Sequence, residues 1–245
     1  MRQVPTYLII GNGRMASHFC HYLKLLSLPY LQWARKTHSI ADLQLSLNKA
    51  THIVVLISDS SIPTFINNLT LLEKKIIIHF SGMLSIPNAY SAHPLMTFSH
   101  DLYDKHGYEQ IPFVLEEGSP NLSTLLPGLP NQGYFIPPAL KPFYHALCVM
   151  SNNFTCLLWQ KINHELSNSL NLPPEIIMPY ITQTFKNLTY NPHGSLTGPL
   201  VRGDKVTINK HLAALESDDF LEIYQAFVNY YQNKCTTKEV AHEHF

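Results

Sequence analysis

Charge is scarce in this chain of 245 residues: Asp, Glu, Lys and Arg make up 14% of it, against about a quarter in an average domain. The 17 basic residues are matched by 17 acidic ones, so no basic excess points to nucleic acid or an anionic membrane, and neither partner is expected. Asn, Gln, Ser, Thr and 14 His must supply much of the polar surface. No uninterrupted apolar run reaches membrane-spanning length, and the first strand-like segment begins too early to leave room for a signal peptide. A cytoplasmic protein is the expectation. Cys20, Cys148, Cys156 and Cys235 show no CxxC pairing, which predicts reduced structural thiols. Metal-ligand spacing is missing. So is a GxSxG elbow, because Ser195 directly follows Gly194, and serine hydrolysis is disfavoured. Sequons such as Asn68-Leu69-Thr70 carry no weight without secretion, and His242 and His244 read as a terminal tail.

What is present starts at the amino terminus. The apolar run Tyr7-Leu8-Ile9-Ile10 leads into Gly11-Asn12-Gly13-Arg14-Met15-Ala16, and a helix-like stretch follows with apolar Met15, Phe19, Leu23 and Leu26. The pattern reads as a dinucleotide-binding turn. A first glycine permits the tight turn, a second lets backbone approach a pyrophosphate, and a small third residue, here Ala16, packs helix on strand. GxGxxA alone is also a plain turn; the strand before it and the helix after it are the context that the mechanism requires. NAD specificity usually needs an acid about 20 positions past the glycines, and no Asp or Glu occurs before Asp42. Arg35 and Lys36 stand there instead. A guanidinium could hold the 2′-phosphate of NADP in two bonds while Lys36 adds a point charge; the alternative is a pair of solvated charges.

Strand-like and helix-like segments alternate through the first half. Tyr30 to Ala34 is followed by an amphipathic stretch from Ile40 to Leu47, and His52 to Ile57 and Lys75 to Phe80 are the continuous apolar runs of doubly covered strands. Shorter strands are predicted at Ile111 to Leu115 and Tyr134 to Ile136. The order implies an α/β fold with a mostly parallel sheet. A Pro/Gly-rich stretch ends at Pro137-Pro138, placing a domain boundary there: a nucleotide-binding domain over 1–137 and an all-helical domain over 138–245. In the latter, Leu147, Met150, Phe154, Leu157, Leu158, Ile162 and Leu166 recur at helical steps, predicting one long helix. Further helices are predicted over Pro174 to Leu188, Thr207 to Leu215 and Asp218 to Asn233, with Pro173-Pro174 starting the first and Ser217 or Asp218 capping the last.

Ligands of such sheets lie at the carboxyl ends of the strands. Ser58, Asp59 and Ser60 follow the third strand, and Ser81 and Gly82 follow the fourth. They could approach the ribose and nicotinamide, or serve as helix caps. His93, in the uncommon string His93-Pro94-Leu95-Met96-Thr97-Phe98, is placed near the same edge and is a candidate proton donor, because imidazole titrates near neutrality. On the long helix His145, Asn152 and Cys156 fall in one arc opposite the apolar stripe, with Val149 and Trp159 nearby; the arc is either solvent-facing or buried against a cofactor cleft. In the turn Leu196-Thr197-Gly198-Pro199-Leu200-Val201-Arg202-Gly203-Asp204, Arg202 could face an anionic group or pair with Asp204.

The glycine turn, the string His93 to Phe98, Tyr144-His145-Ala146 with Asn153 downstream, and Leu196 to Asp204 together resemble small Rossmann-type proteins whose helical carboxyl domain is a domain of unknown function (DUF2520). That family is similar in plan to pyrroline-5-carboxylate reductase and to F420-dependent NADP reductases. The resemblance spans nearly the whole chain. It implies only an NADP-linked oxidoreductase, since the family has no generally established substrate. With the site residues added, the expected reaction is hydride transfer between NADP(H) and a small carbonyl or imine compound. On this reading Gly11, Asn12, Gly13, Arg14, Met15 and Ala16 form the cofactor turn, with Arg35 and Lys36 at the 2′-phosphate and Ser58, Asp59, Ser81 and Gly82 near the ribose and nicotinamide. His93 or His145 handles the proton, and Asn153, Thr197 and Arg202 orient the small-molecule substrate. Leu147-Cys148 replaces a usual alanine-rich run and Val201 a common alanine, changes that bear on the pocket's shape. A homodimer through the helical domain is expected. The rival reading is a non-catalytic NADP(H)-binding redox sensor or a dimeric binding module, which shares every cofactor residue with the enzyme.

Overall fold

The structure, a computed structural model, describes residues 5–69 and 75–242, with side chains through Lys234. The sequon residue Thr70, the side chains of Cys235 and His242, and His244 lie outside what it describes. The chain divides into two compact units, residues 1–159 and 160–245.

The first unit is built on a seven-stranded sheet of order β2-β1-β3-β4-β5-β6-β7. Its strands are β1 (Tyr7–Ile10), β2 (Tyr30–Trp33), β3 (His52–Val55), β4 (Ile76–His79), β5 (Tyr90–Pro94), β6 (Phe113–Glu116) and β7 (Gly133–Ile136). Strands β1 to β5 run parallel; β6 is antiparallel to β5, and β7 parallel to β6. Residues of β1 and β3 alternate between two cores, as the period of two requires. One face carries Tyr7, Ile9, Val54 and Ile78 against Phe19 and Leu23 of α1 (Arg14–Leu25). The other carries Leu8, Ile10, Ile53, Val55 and Ile77 against Leu43 and Leu47 of α2 (Ile40–Lys49) and Ile62 and Ile66 of α3 (Ile62–Asn67). Each such side chain, fully buried, stabilises the fold by roughly 1.5–3 kcal/mol. Both sides of the sheet are covered, which is why these strands read as unbroken apolar runs.

The expected mostly parallel sheet is therefore present, with one addition. Tyr90-Ser91-Ala92-His93-Pro94 has no apolar run to announce it, yet it forms β5, the strand at which the sheet reverses direction. Helices α4 (Lys105–Glu109) and α5 (Leu122–Leu125) flank β6 in the chain. After β7, helix α6 (Lys141–Cys148) passes into a π-helical segment, Val149–Phe154, and then α7 (Thr155–Asn168). The uniform helix expected here is thus interrupted. Ser151 supplies a local reason: its hydroxyl donates to the carbonyls of Leu147 (2.9 Å) and Cys148 (3.3 Å), competing with the backbone ladder. The wider turn also dissolves the arc of His145, Asn152 and Cys156, which assumed an equal step at every residue.

In the second unit the chain is helical: the end of α7, α8 (Met178–Tyr190), α9 (Pro199–Arg202), α10 (Lys205–Ala214) and α11 (Leu221–His242). Leu166, Ile177, Ile208 and Val228 are buried. Lys161 reaches Asp218 (2.8 Å), Asp219 (3.0 Å) and Glu165 (3.1 Å). Among the described residues no helix is long and apolar enough to cross a membrane, and no group of three or more His, Cys, Asp or Glu could hold a metal ion. Cys20, Cys148 and Cys156 are free thiols.

Candidate active site

A cavity of about 1070 Å³ opens at the carboxyl ends of β1, β2 and β3, at the upper end of the roughly 300–1,000 Å³ typical of ligand sites. It lies where the strand order switches between β1 and β3, the ligand position of open α/β sheets. The glycine turn forms its floor, and each small residue there has a separate reason. Gly11 has φ +130°, and a Cβ on it would lie 2.2 Å from the carbonyl oxygen of Leu56. Its own N–H donates to Trp33 O (2.8 Å), and its carbonyl accepts from Gln32 Nε2 (2.8 Å). Gly13 precedes α1; no side chain caps that helix, and a Cβ on Gly13 would meet nothing within 4 Å. Ala16 is fully buried between α1 and the sheet. The turn thus offers a clear approach to the uncapped amino end of a helix, where N–H groups and the helix dipole favour an anion. Asn12 and Arg14 are exposed and Met15 is half-buried; all three line the cavity, and Arg14 Nη1 donates to Phe98 O (3.2 Å).

Arg35 and Lys36 also line the cavity, both exposed in the turn after β2. Among the described residues no carboxylate pairs with either. Asp42, the first acid of the chain, is engaged in a capping box on α2: Ser39 N–H donates to its Oδ2 (2.8 Å), and Asp42 N–H donates to Ser39 Oγ (3.1 Å). These bonds from the Ser39 side chain and backbone hold the Asp42 carboxyl below its usual range. One corner of the cavity therefore carries unopposed positive charge.

At another part of the wall, Ser58 Oγ donates to Ser61 Oγ (2.9 Å), and Ser81 Oγ donates to Asp59 Oδ2 (2.5 Å). Ser81 Oγ also accepts the N–H groups of Met83 (3.3 Å) and Leu84 (3.1 Å). Asp59 and Ser81 thus join the turns after β3 and β4 while lining the cavity. Ser58 precedes a helical turn, Asp59–Ser61, without capping it by its side chain. Gly82, next along, has no room for a side chain: a Cβ would lie 2.6 Å from His145 Cδ2 and 3.0 Å from His93 Cδ2.

His93, His145 and Gly82 are therefore together. The two imidazole rings are 5.9 Å apart and nearly perpendicular, and His93 Nδ1 lies 2.7 Å from Tyr144 Oη. Burial, then the charges of His145 and Lys141, push His93 down to about 4. At neutral pH the ring is uncharged, which departs from the expectation of a group titrating near neutrality. The cross-strand pairs His79 with Ser91 and His93 with Val114 place His79, Ser91, His93 and Glu116 on one sheet face. His79 is fully buried, neither ring nitrogen has a partner among the described residues, and burial followed by the charge of Lys141 pushes it to about 4. Lys141, 3% exposed, is 2.8 Å from Glu116 Oε1, and Glu116 Oε2 accepts from Ser85 Oγ (3.2 Å). Burial lowers the Lys141 ammonium, partly offset by the bond to Glu116.

Asn153 lies exposed in the π-helical segment, beside Asn152, whose Nδ2 is 3.5 Å from Thr97 Oγ1. Thr197 and Arg202 are exposed residues of the second unit. Asp204 there caps α10, accepting from Thr207 N (3.0 Å) and Thr207 Oγ1 (2.7 Å), and these bonds outweigh the charge of Arg202 in lowering its carboxyl. Sequence reasoning missed His79, Glu116 and Lys141. A charged residue on the first turn of a helix reads as surface, and only the ion pair explains its burial.

Residues 111–231 match the family described as a domain of unknown function (DUF2520). None of the curated proteins matches the chain. Among solved structures, the "putative NADP oxidoreductase BF3122" of Bacteroides fragilis has a TM-score of 0.73 at 22% identity, over 94% of this chain and 98% of that one. Protein TM1727 of Thermotoga maritima follows with a TM-score of 0.69 at 23% identity, over 95% and 99%. An imine reductase of Myxococcus stipitatus in complex with NADP+ has a TM-score of 0.62 at 14% identity, over 95% of each chain. At these identities the likeness is one of fold.

Proposed function

Because this chain has a Rossmann-type sheet and its residues 111–231 match the DUF2520 family, we propose that it is an NADP(H)-dependent oxidoreductase acting on a small carbonyl or imine compound. One observation carries the reading: the cavity combines the open face of Gly13, the uncapped amino end of α1 and the unpaired Arg35 and Lys36. Such a set fits a dinucleotide with a third phosphate. The turn from Gly11 to Met15 holds the pyrophosphate, and Arg35 with Lys36 holds the 2′-phosphate. NADPH, when bound, supplies the hydride. Asp59 and Ser81 keep the far wall in place. Substrate sits within reach of His93, which offers a hydrogen bond from a neutral ring, and half-buried His145 carries the proton. Asn153 orients the substrate.

Within the first unit Phe143, Leu147, Met150, Phe154 and Leu157 are all 47–64% exposed. So much exposed apolar surface is suited to a second copy, giving a homodimer.

Titration calorimetry tests the cofactor. NADPH should bind more tightly than NADH, and Arg35→Ala should remove about 1.5–3 kcal/mol of that preference, the worth of a hydrogen bond to a charged group. Equal affinities in the unmodified protein would sink the proposal. Once screening of carbonyls and imines by NADPH absorbance has found a substrate, His145→Ala should lower turnover by about 10²–10⁴-fold with NADPH affinity unchanged.

A further inference from the structure

The polar cluster under α6 contains more organisation than a hydride acceptor site needs. Lys141, Tyr144 and His145 occupy one face of α6, at spacings of three and four residues. The Lys141–Glu116 pair fastens the first turn of that helix to β6, and Ser85 ties the loop after β4 to the same carboxylate. One helical turn later, the Tyr144 phenol meets His93 Nδ1 at 2.7 Å. The other ring nitrogen, Nε2, has no partner among the described residues and lies 3.1 Å from where a Cβ on Gly82 would be.

The geometry points to Tyr144, seated by the buried Lys141–Glu116 pair, as the residue that fixes His93 in the tautomer protonated at Nε2, so that Nε2–H projects beside Gly82 as a hydrogen-bond donor to the substrate's carbonyl oxygen or imine nitrogen. Burial raises the Tyr144 phenol well above its ordinary value, so it keeps its proton. The Cys148 thiol also reaches the phenol, but sulfur is a weak acceptor, and the phenol proton goes to the imidazole nitrogen. With Nδ1 accepting, a neutral ring must carry its hydrogen on Nε2. No proton leaves the ring. Its part is to polarise the acceptor, and Tyr144, Lys141 and Glu116 are positioning residues.

The substrate side of this assignment rests on the oxidoreductase reading; the tautomer does not, and ¹⁵N resonances of the histidine rings in the full chain report it without cofactor or substrate. His93 should show an unprotonated Nδ1 and a protonated Nε2 at pH 7. Tyr144→Phe should give the averaged shifts of a tautomer mixture, and Cys148→Ala should leave the single form intact. Lys141→Arg should preserve it, while the paired change Lys141→Met with Glu116→Gln, which leaves no unpaired buried charge, should lose it. A protonated Nδ1 in the unmodified protein, or identical His93 shifts in folded Tyr144→Phe, would overturn the proposal. If NADPH fails to bind while these shifts appear as stated, the oxidoreductase reading falls and the tautomer assignment stands.

Discussion

The two ends of the candidate site are made in opposite ways. At the glycine turn, the residues that matter lie within a few positions of one another between Gly11 and Ala16, and the chemistry is done by backbone: a positive φ, an open Cα and uncapped N–H groups. At the His93 end, β4, β5, β6 and α6 each contribute a side chain, and Lys141 is 25 residues from its partner Glu116 while Tyr144 is 51 from His93. The first end is specified by one short stretch of sequence, which β2 and the backbone of Leu56 then hold in place. The second exists only when the sheet and α6 are packed.

That contrast can be broken most severely at Lys141. Lys141→Met leaves the half-buried Glu116 carboxylate without its cation and with only the Ser85 hydroxyl, and urea unfolding should show a loss of about 3 kcal/mol, the low end for breaking a buried pair. Lys36→Met, which removes an exposed lysine of the same chain, should stay within about 0.5 kcal/mol of the parent. Similar effects for the two would mean that the ion pair does not anchor α6. Gly13→Val is the converse case. It places a branched side chain in open space, so calorimetry should register roughly 100-fold weaker NADPH binding, about 2.7 kcal/mol, with an unchanged melting temperature. A smaller effect separates the ends by pH. His79 and His93 are neutral in the fold, lowered to about 4, whereas an unfolded chain binds protons at about 6.5. The unfolded state holds more protons in that window, so stability is full above pH 6.5 and falls as pH drops towards 4, by at most about 1.4 kcal/mol per unit for each histidine. His79→Leu should flatten the slope in urea midpoints measured between pH 7 and 4.5; an unaltered slope would show that His79 is not buried neutral.

Legibility in the sequence follows the same division. Strands β1, β3 and β4 announce themselves because both their faces are covered and every position is apolar except one terminal histidine in each of β3 and β4. The glycine turn is readable because its requirements fall on consecutive residues. Strand β5 is not, since its Ser91 and His93 face a polar cluster in place of a greasy layer. Lys141 and Glu116 look like ordinary surface charges until β6 and α6 are seen to meet, and His79 is hidden at the end of an isoleucine run. The arc of His145, Asn152 and Cys156 failed for a subtler reason, because helical arithmetic presumes an even step.

That uneven step gives length a meaning of its own in this helix. Every α-helical residue advances the chain by about 100°, and the π-helical segment Val149–Phe154 is equivalent to one residue slipped into a regular ladder. Excising a single residue there would restore an even ladder and leave the side chains from Thr155 to Trp159 facing as they do, whereas excising one from the regular turns of α6 would swing them around the helix axis by about that angle. Facing is thus set by a count of residues that the wider turn absorbs, and no substitution at either end can reproduce what that count determines.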